Sequence, residues 1–509
     1  MTNVTPSSFE EFERATALGN MVPVVRTVAG CFQAPVDAFE RLSESAPYAF
    51  LFESVEGGES LARHSFIGVD PEMIVRGRGN QTIVERAGAR ETLQVSAHEF
   101  ISTYFRTKAL VPMDGLPPLA GGAVGYVGFQ ATQWFEKAFA NKSDCECDDA
   151  VWMFFKTVVA IERGSKTTQI ISVVIAEEAG DDRALLQKLF ERAVEETARF
   201  EKTLRDDESV PIANVKQTHR EASFVSNWSR ESFEGAVRAV KDYILAGDCY
   251  QVVISQRFER KTSAEPLTIY RALRATNPSP YMFFLKIGAK TILGASPEML
   301  VRCRGRQLEY RPIAGTRPRG DNETDDALLA NELRADAKEV AEHIMLVDLG
   351  RNDLGKVAEY GSVGIENLMS VERYSHVQHL VSSLRAQLRS GLDCFDALAA
   401  CFPAGTVTGA PKVRAMEIIQ QLEPTQRGVY SGAILYADYA GNLDSCIAIR
   451  MVVIDEDGVA SVQAGAGIVA GSVPALEYEE SINKARALFR AIEMGEGIPF
   501  YENRVTTGE

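Results

Sequence analysis

The chain has 509 residues, 45% hydrophobic and 24% charged, a composition that fits a folded globular protein and excludes disorder over most of its length. With 54 Lys and Arg against 70 Asp and Glu, its formal net charge of −16 gives it no surplus of cations with which to displace counterions from a phosphate backbone, so no nucleic-acid partner is expected. The first twenty residues have neither a basic nor an apolar region, and no uncharged apolar run of about 18 residues occurs, so the expectation is a cytoplasmic protein without a membrane partner.

In chain order, the aromatic and β-branched segments Tyr48 to Glu53 and Ala150 to Ile161 predict strands, and Asp182 to Leu204 predicts an amphipathic helix. Residues 1–202 thus form an N-terminal α+β unit. The polar stretch 203–220, with its acidic cluster and Pro211, lacks periodicity and predicts a linker. Residues 221–500 follow as a second unit, and 501–509 as a C-terminal tail. In the second unit, Ser232 to Ala246 predicts a helix and Tyr250 to Arg257 a strand. Further strands are predicted at Tyr281 to Ile287, Thr291 to Ala295, Met299 to Arg304, Ala433 to Asp438, Ile447 to Ile454 and Val459 to Ala464. Long helical patterns cover Thr324 to Leu349, Pro411 to Gln421 and Leu476 to Glu493. Strands in clusters, without strict strand–helix alternation, predict an α+β fold with large antiparallel or mixed sheets. The eight cysteines include only one close pair, Cys145 and Cys147, with no second pair or histidine nearby, which predicts free thiols rather than a zinc site.

Chemistry-bearing residues recur on the second unit. Glu339 and Glu342 stand at i and i+3 on one predicted helix, and Glu477, Glu480 and Lys484 share one face of another. Such carboxylate pairs suit a hard divalent cation, or are simply solvated surface acids. Gly465, Ala466 and Gly467 follow a strand and precede the second helix; unencumbered backbone amides there suit an anion, while tight packing of two backbones would require the same residues. Glu298, after Ser296 and Pro297, is placed to project one carboxyl between strands, as a general acid in a partly buried site or as a capped turn acid. Thr406, Thr408 and Lys412 gather at the start of the Pro411 helix, with Pro411 expected at its first position. His376 and His379 are three apart, but with the glutamates available an oxygen-ligated cation is the stronger expectation.

The blocks NPSPYMFF, GASPEMLVR, RPIAGTRPRG, KEVAEHIMLVDLGRNDLGKV, FPAGTVTGAPKVRAMEII, VYSGAILY, GNLDSCIAIR and QAGAGIVAGS occur in one order over about residues 228 to 495. Together they resemble the chorismate-utilising enzymes, most closely the component I branch of the anthranilate synthases. LFES at Leu51 to Ser54 and RHSFIG at Arg63 to Gly68 extend the likeness more weakly. The resemblance implies a sandwich-like core of large sheets flanked by helices, and amination of chorismate by ammonia with loss of pyruvate, as the first step of tryptophan biosynthesis. It implies Mg²⁺ held directly by Glu342 and Glu480, with Glu339 and Glu477 lining it. It further implies chorismate contacts at Gly315, Thr316, Tyr430, Arg450, Gly465, Ala466 and Gly467, with Glu298 as general acid and His379 and Lys484 at the site. Where isochorismate-forming relatives carry a lysine base, this chain has Gln251, whose neutral amide suits ammonia rather than activated water. Where some aminodeoxychorismate synthases carry a lysine, it has Ala314, which favours amination at C2; 4-amino-4-deoxychorismate synthase remains the second reading, and a non-catalytic chorismate-binding subunit a third. The implied partners are a glutamine amidotransferase subunit, in a heterotetramer of two large and two small subunits, and L-tryptophan as feedback inhibitor. The tryptophan site would lie at Ser54, Pro280, Tyr281 and Met282, with Phe52 departing from the usual leucine.

Overall fold

The computed structural model describes residues 2–29, 34–55, 64–140, 147–162, 167–205, 223–374, 377–497 and 505–507. Cys31, Arg63, Cys145, His376, most of the 203–220 linker and most of the 501–509 tail lie outside them. Two large sheets dominate, one of 14 strands and one of 12. Among the described residues the strands pair antiparallel, save that Phe224–Ser226 runs parallel to Val505–Thr507 and an isolated parallel bridge joins Met21 to Leu110. Side chains of both sheets, Phe50 and Phe66 from one and Val75, Phe154 and Leu435 from the other, meet in a shared core. The opposite face of the larger sheet is covered by helices that contribute Phe39, Tyr270, Leu273 and Phe489. This is the expected α+β sandwich flanked by helices, and burial of these apolar faces is what drives its assembly.

The sheets interleave the two stretches of chain. In the larger sheet Tyr48–Glu53 pairs with Tyr281–Ile287, Phe52 opposite Phe283. In the smaller, Gly122–Val127 pairs with Ala433–Asp438. Residues on either side of the linker therefore belong to the same two sheets. No described helix is long and apolar enough to cross a membrane. Five described cysteines, Cys249, Cys303, Cys394, Cys401 and Cys446, are free thiols, and all five are buried.

Four local expectations need correction. Ala150 to Ile161 is two strands, Ala150–Phe155 and Thr157–Glu162, which belong to different sheets. The pattern Thr324 to Leu349 is also two elements, Glu323–Ala335 and Ala337–Gly355. Asp336 separates them in an extended conformation, and its carboxylate accepts from the backbone N–H groups of Lys338 and Glu339, so it starts a new helix rather than continuing the old one. The run Ile447 to Ile454 is broken at Arg450, whose φ of 53° is left-handed; regular pairing resumes at Met451–Ile454. Pro411 sits one position earlier than expected, as the N-cap of Lys412–Leu422.

Candidate active site

The site is built around two neighbouring strands of the larger sheet, Gln251–Lys261 and Val459–Ile468, which place Val253 opposite Gly467 and Ser255 opposite Gly465. At Gly465 the neighbouring backbone excludes a side chain, and at Gly467 the space is filled by the end of a side chain. A Cβ at Gly465 would lie 2.6 Å from the Ile254 carbonyl oxygen, and one at Gly467 would lie 2.5 Å from Nε2 of Gln251. The close packing of backbones is thus realised, and it leaves room for the buried Gln251 amide, whose Oε1 has no hydrogen-bond partner.

The chain then turns into the helix Pro474–Gly495, which carries Glu477, Glu480 and Lys484. Lys484 Nζ donates to the Gly465 carbonyl at 3.0 Å and pairs with Glu480 at 2.6 Å. The other glutamate pair stands on Ala337–Gly355. Burial pushes the Glu342 carboxyl up and the charge of Glu339 adds to this, while Lys338, Lys484 and the Gln251 amide oppose it. Burial raises Glu477 as well; Glu480 reinforces the shift, against Ser472, Lys338 and Lys484. Glu342 on one helix and Glu477 on the other thus both feel the charges of Lys338 and Lys484. Among the described residues no three His, Cys, Asp or Glu side chains stand together as a closed ligand set.

Arg450 and His379 stand beside these glutamates. The left-handed turn at Arg450 brings its guanidinium to the Lys484 carbonyl at 3.3 Å. Burial pulls the Arg450 pKa down, opposed by Tyr430 and Glu480. His379 Nδ1 lies 2.9 Å from the Gly315 carbonyl and 3.1 Å from the Thr316 hydroxyl. A carbonyl only accepts, so Nδ1 carries the proton and Nε2 presents its lone pair. Burial lowers the His379 pKa, and the nearby Arg450 charge adds to this. Gly315 sits in a bulge between Ala314 and Thr316 with φ of 68°; a Cβ there would lie 3.2 Å from Oε2 of Glu339. The Pro-, Gly- and Arg-rich segment thereby reaches the glutamate helix.

Glu298 lies where the chain crosses from one sheet to the other, between Lys290–Ser296 and Met299–Arg304. Burial pushes its carboxyl up to about 8, and proximity to the Thr406 hydroxyl and the Ile313 backbone only partly offsets this. Thr406 Oγ1 is buried and makes no well-aligned hydrogen bond. Residues named from the sequence for metal, substrate and proton transfer thus fall into one connected region. Ser54, Pro280, Tyr281 and Met282 do not join it; they line a separate cavity of about 390 Å³, together with Phe52 and Tyr436. Ser54 Oγ and Glu53 Oε1 are buried beside that cavity without partners. Sequence reasoning named Thr406 only as part of a helix start and passed over Lys338 and Glu53. A hydroxyl directly after Gly405 in the Pro-Ala-Gly-Thr turn, and an acid next to the motif serine, were the available signals.

The model of the chorismate binding enzyme family matches residues 47–490. Anthranilate synthase component 1 of Pseudomonas aeruginosa is 44% identical over 497 residues, covering 96% of this chain and 99% of the relative. The crystal structure of anthranilate synthase component I from Streptococcus pneumoniae superposes with a TM-score of 0.74 at 33% identity, covering 85% of this chain and 93% of that one. The menaquinone-specific isochorismate synthase of Escherichia coli shares the fold, with a TM-score of 0.66 at 18% identity over 96% of this chain and 99% of that one.

The Glu298 environment has a consequence for stability. Its folded-state pKa of about 8 lies above the ordinary 4.5, so the native state keeps a proton that the unfolded chain releases. Native stability is full at low pH and falls as pH rises through that window, by at most about 1.4 kcal/mol per pH unit from this group. Chemical denaturation of Glu298→Gln should therefore give a stability close to wild type near about pH 4.5 and clearly higher above about pH 8. A pH-independent difference between the two proteins would show that Glu298 is not held neutral.

Proposed function

The chain belongs to the chorismate-binding enzyme family, and from that premise we propose that it is the large component of an anthranilate synthase, aminating chorismate with ammonia and releasing anthranilate and pyruvate. The observation that carries this reading is the buried Glu298, a carboxyl that keeps its proton at neutral pH. Chorismate's C4 hydroxyl is a poor leaving group; as ammonia adds at C2, Glu298 donates a proton and the hydroxyl departs as water. Gln251 occupies the position at which a water-activating lysine would favour hydroxylation, and its unpartnered carbonyl suits an ammonia N–H. Loss of the C2 proton, with the ring–oxygen bond breaking to release the enolpyruvyl group as pyruvate, then generates the aromatic amine.

Arg450 is suited to grip one substrate carboxylate with two parallel hydrogen bonds, and Tyr430 stands beside it. Gly465 to Gly467 are the proposed backbone cradle for a substrate carboxylate, with the Gln251 amide beside Gly467. The donor chemistry suits Mg²⁺: four carboxylates, all hard oxygen ligands, with repulsion within each pair that a cation would relieve. Glu342 and Glu480 would hold the ion directly, and Glu339 and Glu477 through water. Bound there, it would supply Lewis-acid polarisation of the ring carboxylate. Ammonia is expected from a glutamine amidotransferase subunit, since five of the described cysteines are buried with their thiols pushed up in pKa, unlike an activated nucleophile. Tryptophan is the proposed inhibitor at the Ser54 cavity, where the free Glu53 and Ser54 oxygens suit an amino-acid ammonium group.

The purified chain, given chorismate, Mg²⁺ and an ammonium salt, should form the ortho amine, and glutamine should not replace ammonium. Chromatography decides: the para product would establish 4-amino-4-deoxychorismate synthase, and absence of turnover a binding subunit.

Glu342→Gln and Glu480→Gln should each fold normally and weaken Mg²⁺ binding in calorimetry about tenfold or more, equivalent to about 1.4 kcal/mol. Unchanged Mg²⁺ affinity in both would remove the metal site from this cleft.

Tryptophan and chorismate bind different places, so inhibition has to act through their coupling, and each must weaken the other by one factor. Ser54→Phe should abolish the tryptophan-induced rise in apparent chorismate KM and leave uninhibited turnover within about twofold of wild type. Equal inhibition of both proteins would exclude the cavity.

A further inference from the structure

Arg427 follows the helix Lys412–Leu422 and is only 3% exposed, with no substrate group assigned to it. A buried guanidinium must find partners for five N–H donors or lose their hydration without compensation. Here all five are satisfied. Nε and one Nη2 donor bind the two carboxylate oxygens of Glu423 at 2.9 and 2.7 Å. Nη1 donates to the Val407 carbonyl at 2.7 Å and to the Ser431 hydroxyl at 3.1 Å, and Nη2 reaches the Val253 carbonyl at 2.8 Å. Glu423 is anchored in turn by the backbone N–H and hydroxyl of Ser255, both at 2.8 Å.

The acceptors belong to three separate walls of the cleft. Val407 adjoins Thr406, which faces Glu298. Val253 is two residues from Gln251 and lies opposite Gly467. Ser431, in a left-handed conformation with φ of 64°, adjoins Tyr430, and the guanidinium stands 5.7 Å from the Tyr430 ring centre. We propose that Arg427 is a positioning residue that fixes the proton-donating turn, the ammonia-facing strand and the tyrosine wall at one mutual geometry. Its planar fork is what the task requires: five donors in fixed directions address four segments at once, which a lysine with three donors on a flexible stem does not. The proposal rests on the reading of the cleft as a chorismate aminase.

Arg427→Lys keeps the charge beside Glu423 and loses at least two of the five bonds. With ammonium as nitrogen source it should fold to a wild-type circular dichroism spectrum, and calorimetry should show chorismate bound about tenfold more weakly. Turnover should fall further, about 100-fold, because small displacements of reacting groups carry that cost. The basic limb of its pH–rate profile should also move, since Thr406 is no longer held against Glu298. Wild-type turnover and pH profile in folded Arg427→Lys would overturn the proposal, as would a loss that merely follows the folded fraction. Should that variant fail to fold, Ser431→Ala, which removes one acceptor and leaves the Glu423 pair intact, should lower turnover in the same direction, and wild-type behaviour there would count against the proposal. Absence of aminated product from the wild type would instead overturn the functional reading, and positioning would then be judged by chorismate calorimetry alone, with unchanged affinity in Arg427→Lys against it.

Discussion

Two strands approach so closely at Gly465 that a single methyl group there would collide with the Ile254 carbonyl of the neighbouring strand, while the space beside Gly467 is taken by the Gln251 amide. Much of the cleft depends on that approach. It sets the distance at which Lys484, returning on the C-terminal helix, reaches the Gly465 carbonyl, and so where Glu477 and Glu480 face the other glutamate pair. It also fixes Val253, and through Arg427 the turns that carry Thr406 and Tyr430. Backbone geometry in one strand pair is thereby converted into the placement of charges drawn from segments hundreds of residues apart.

Those charges are held under unfavourable conditions. Burial raises Glu298, Glu342 and Glu477 and lowers Arg450 and His379, so each of these groups has its charged form penalised. Desolvation of this kind opposes folding and is what proton transfer and anion recognition need. The large apolar core between the sheets supplies the compensating stability. Glu298 and Arg450 show the division of labour: both occupy breaks between strands, where the backbone leaves regular pairing but the surrounding sheets hold it rigid.

Local patterns revealed elements better than they revealed their arrangement. Tyr48–Glu53 and Tyr281–Ile287 were legible from their aromatic and apolar runs, because such residues suit a pleated, packed surface. The break at Asp336 was written in the sequence as an acid followed three residues later by Glu339, a helix-start signature hidden inside a pattern otherwise compatible with one long helix. The left-handed Arg450 carried no such mark, since its conformation is imposed by tertiary context rather than by an arginine's own preference. At the site, the i, i+3 spacing identified each glutamate pair, but only the resemblance to chorismate-utilising enzymes joined the pairs to each other. Arg427 was missed because a lone arginine after a helix looks like a solvated residue, and its four acceptor segments meet only in the folded chain.

Interleaving of the sheets has a consequence during biosynthesis. Gly122–Val127 leaves the ribosome with one edge awaiting Ala433–Asp438, roughly 300 residues later, an interval of about 15–60 s at ordinary elongation rates. Tyr48–Glu53 likewise waits for Tyr281–Ile287. Through that interval the nascent chain displays apolar strands whose backbone groups lack their final neighbours, the kind of surface that draws other unfinished chains into aggregates. The N-terminal segment cannot complete its share of either sheet alone, so until the C-terminal half arrives its strands have only one another to pair with.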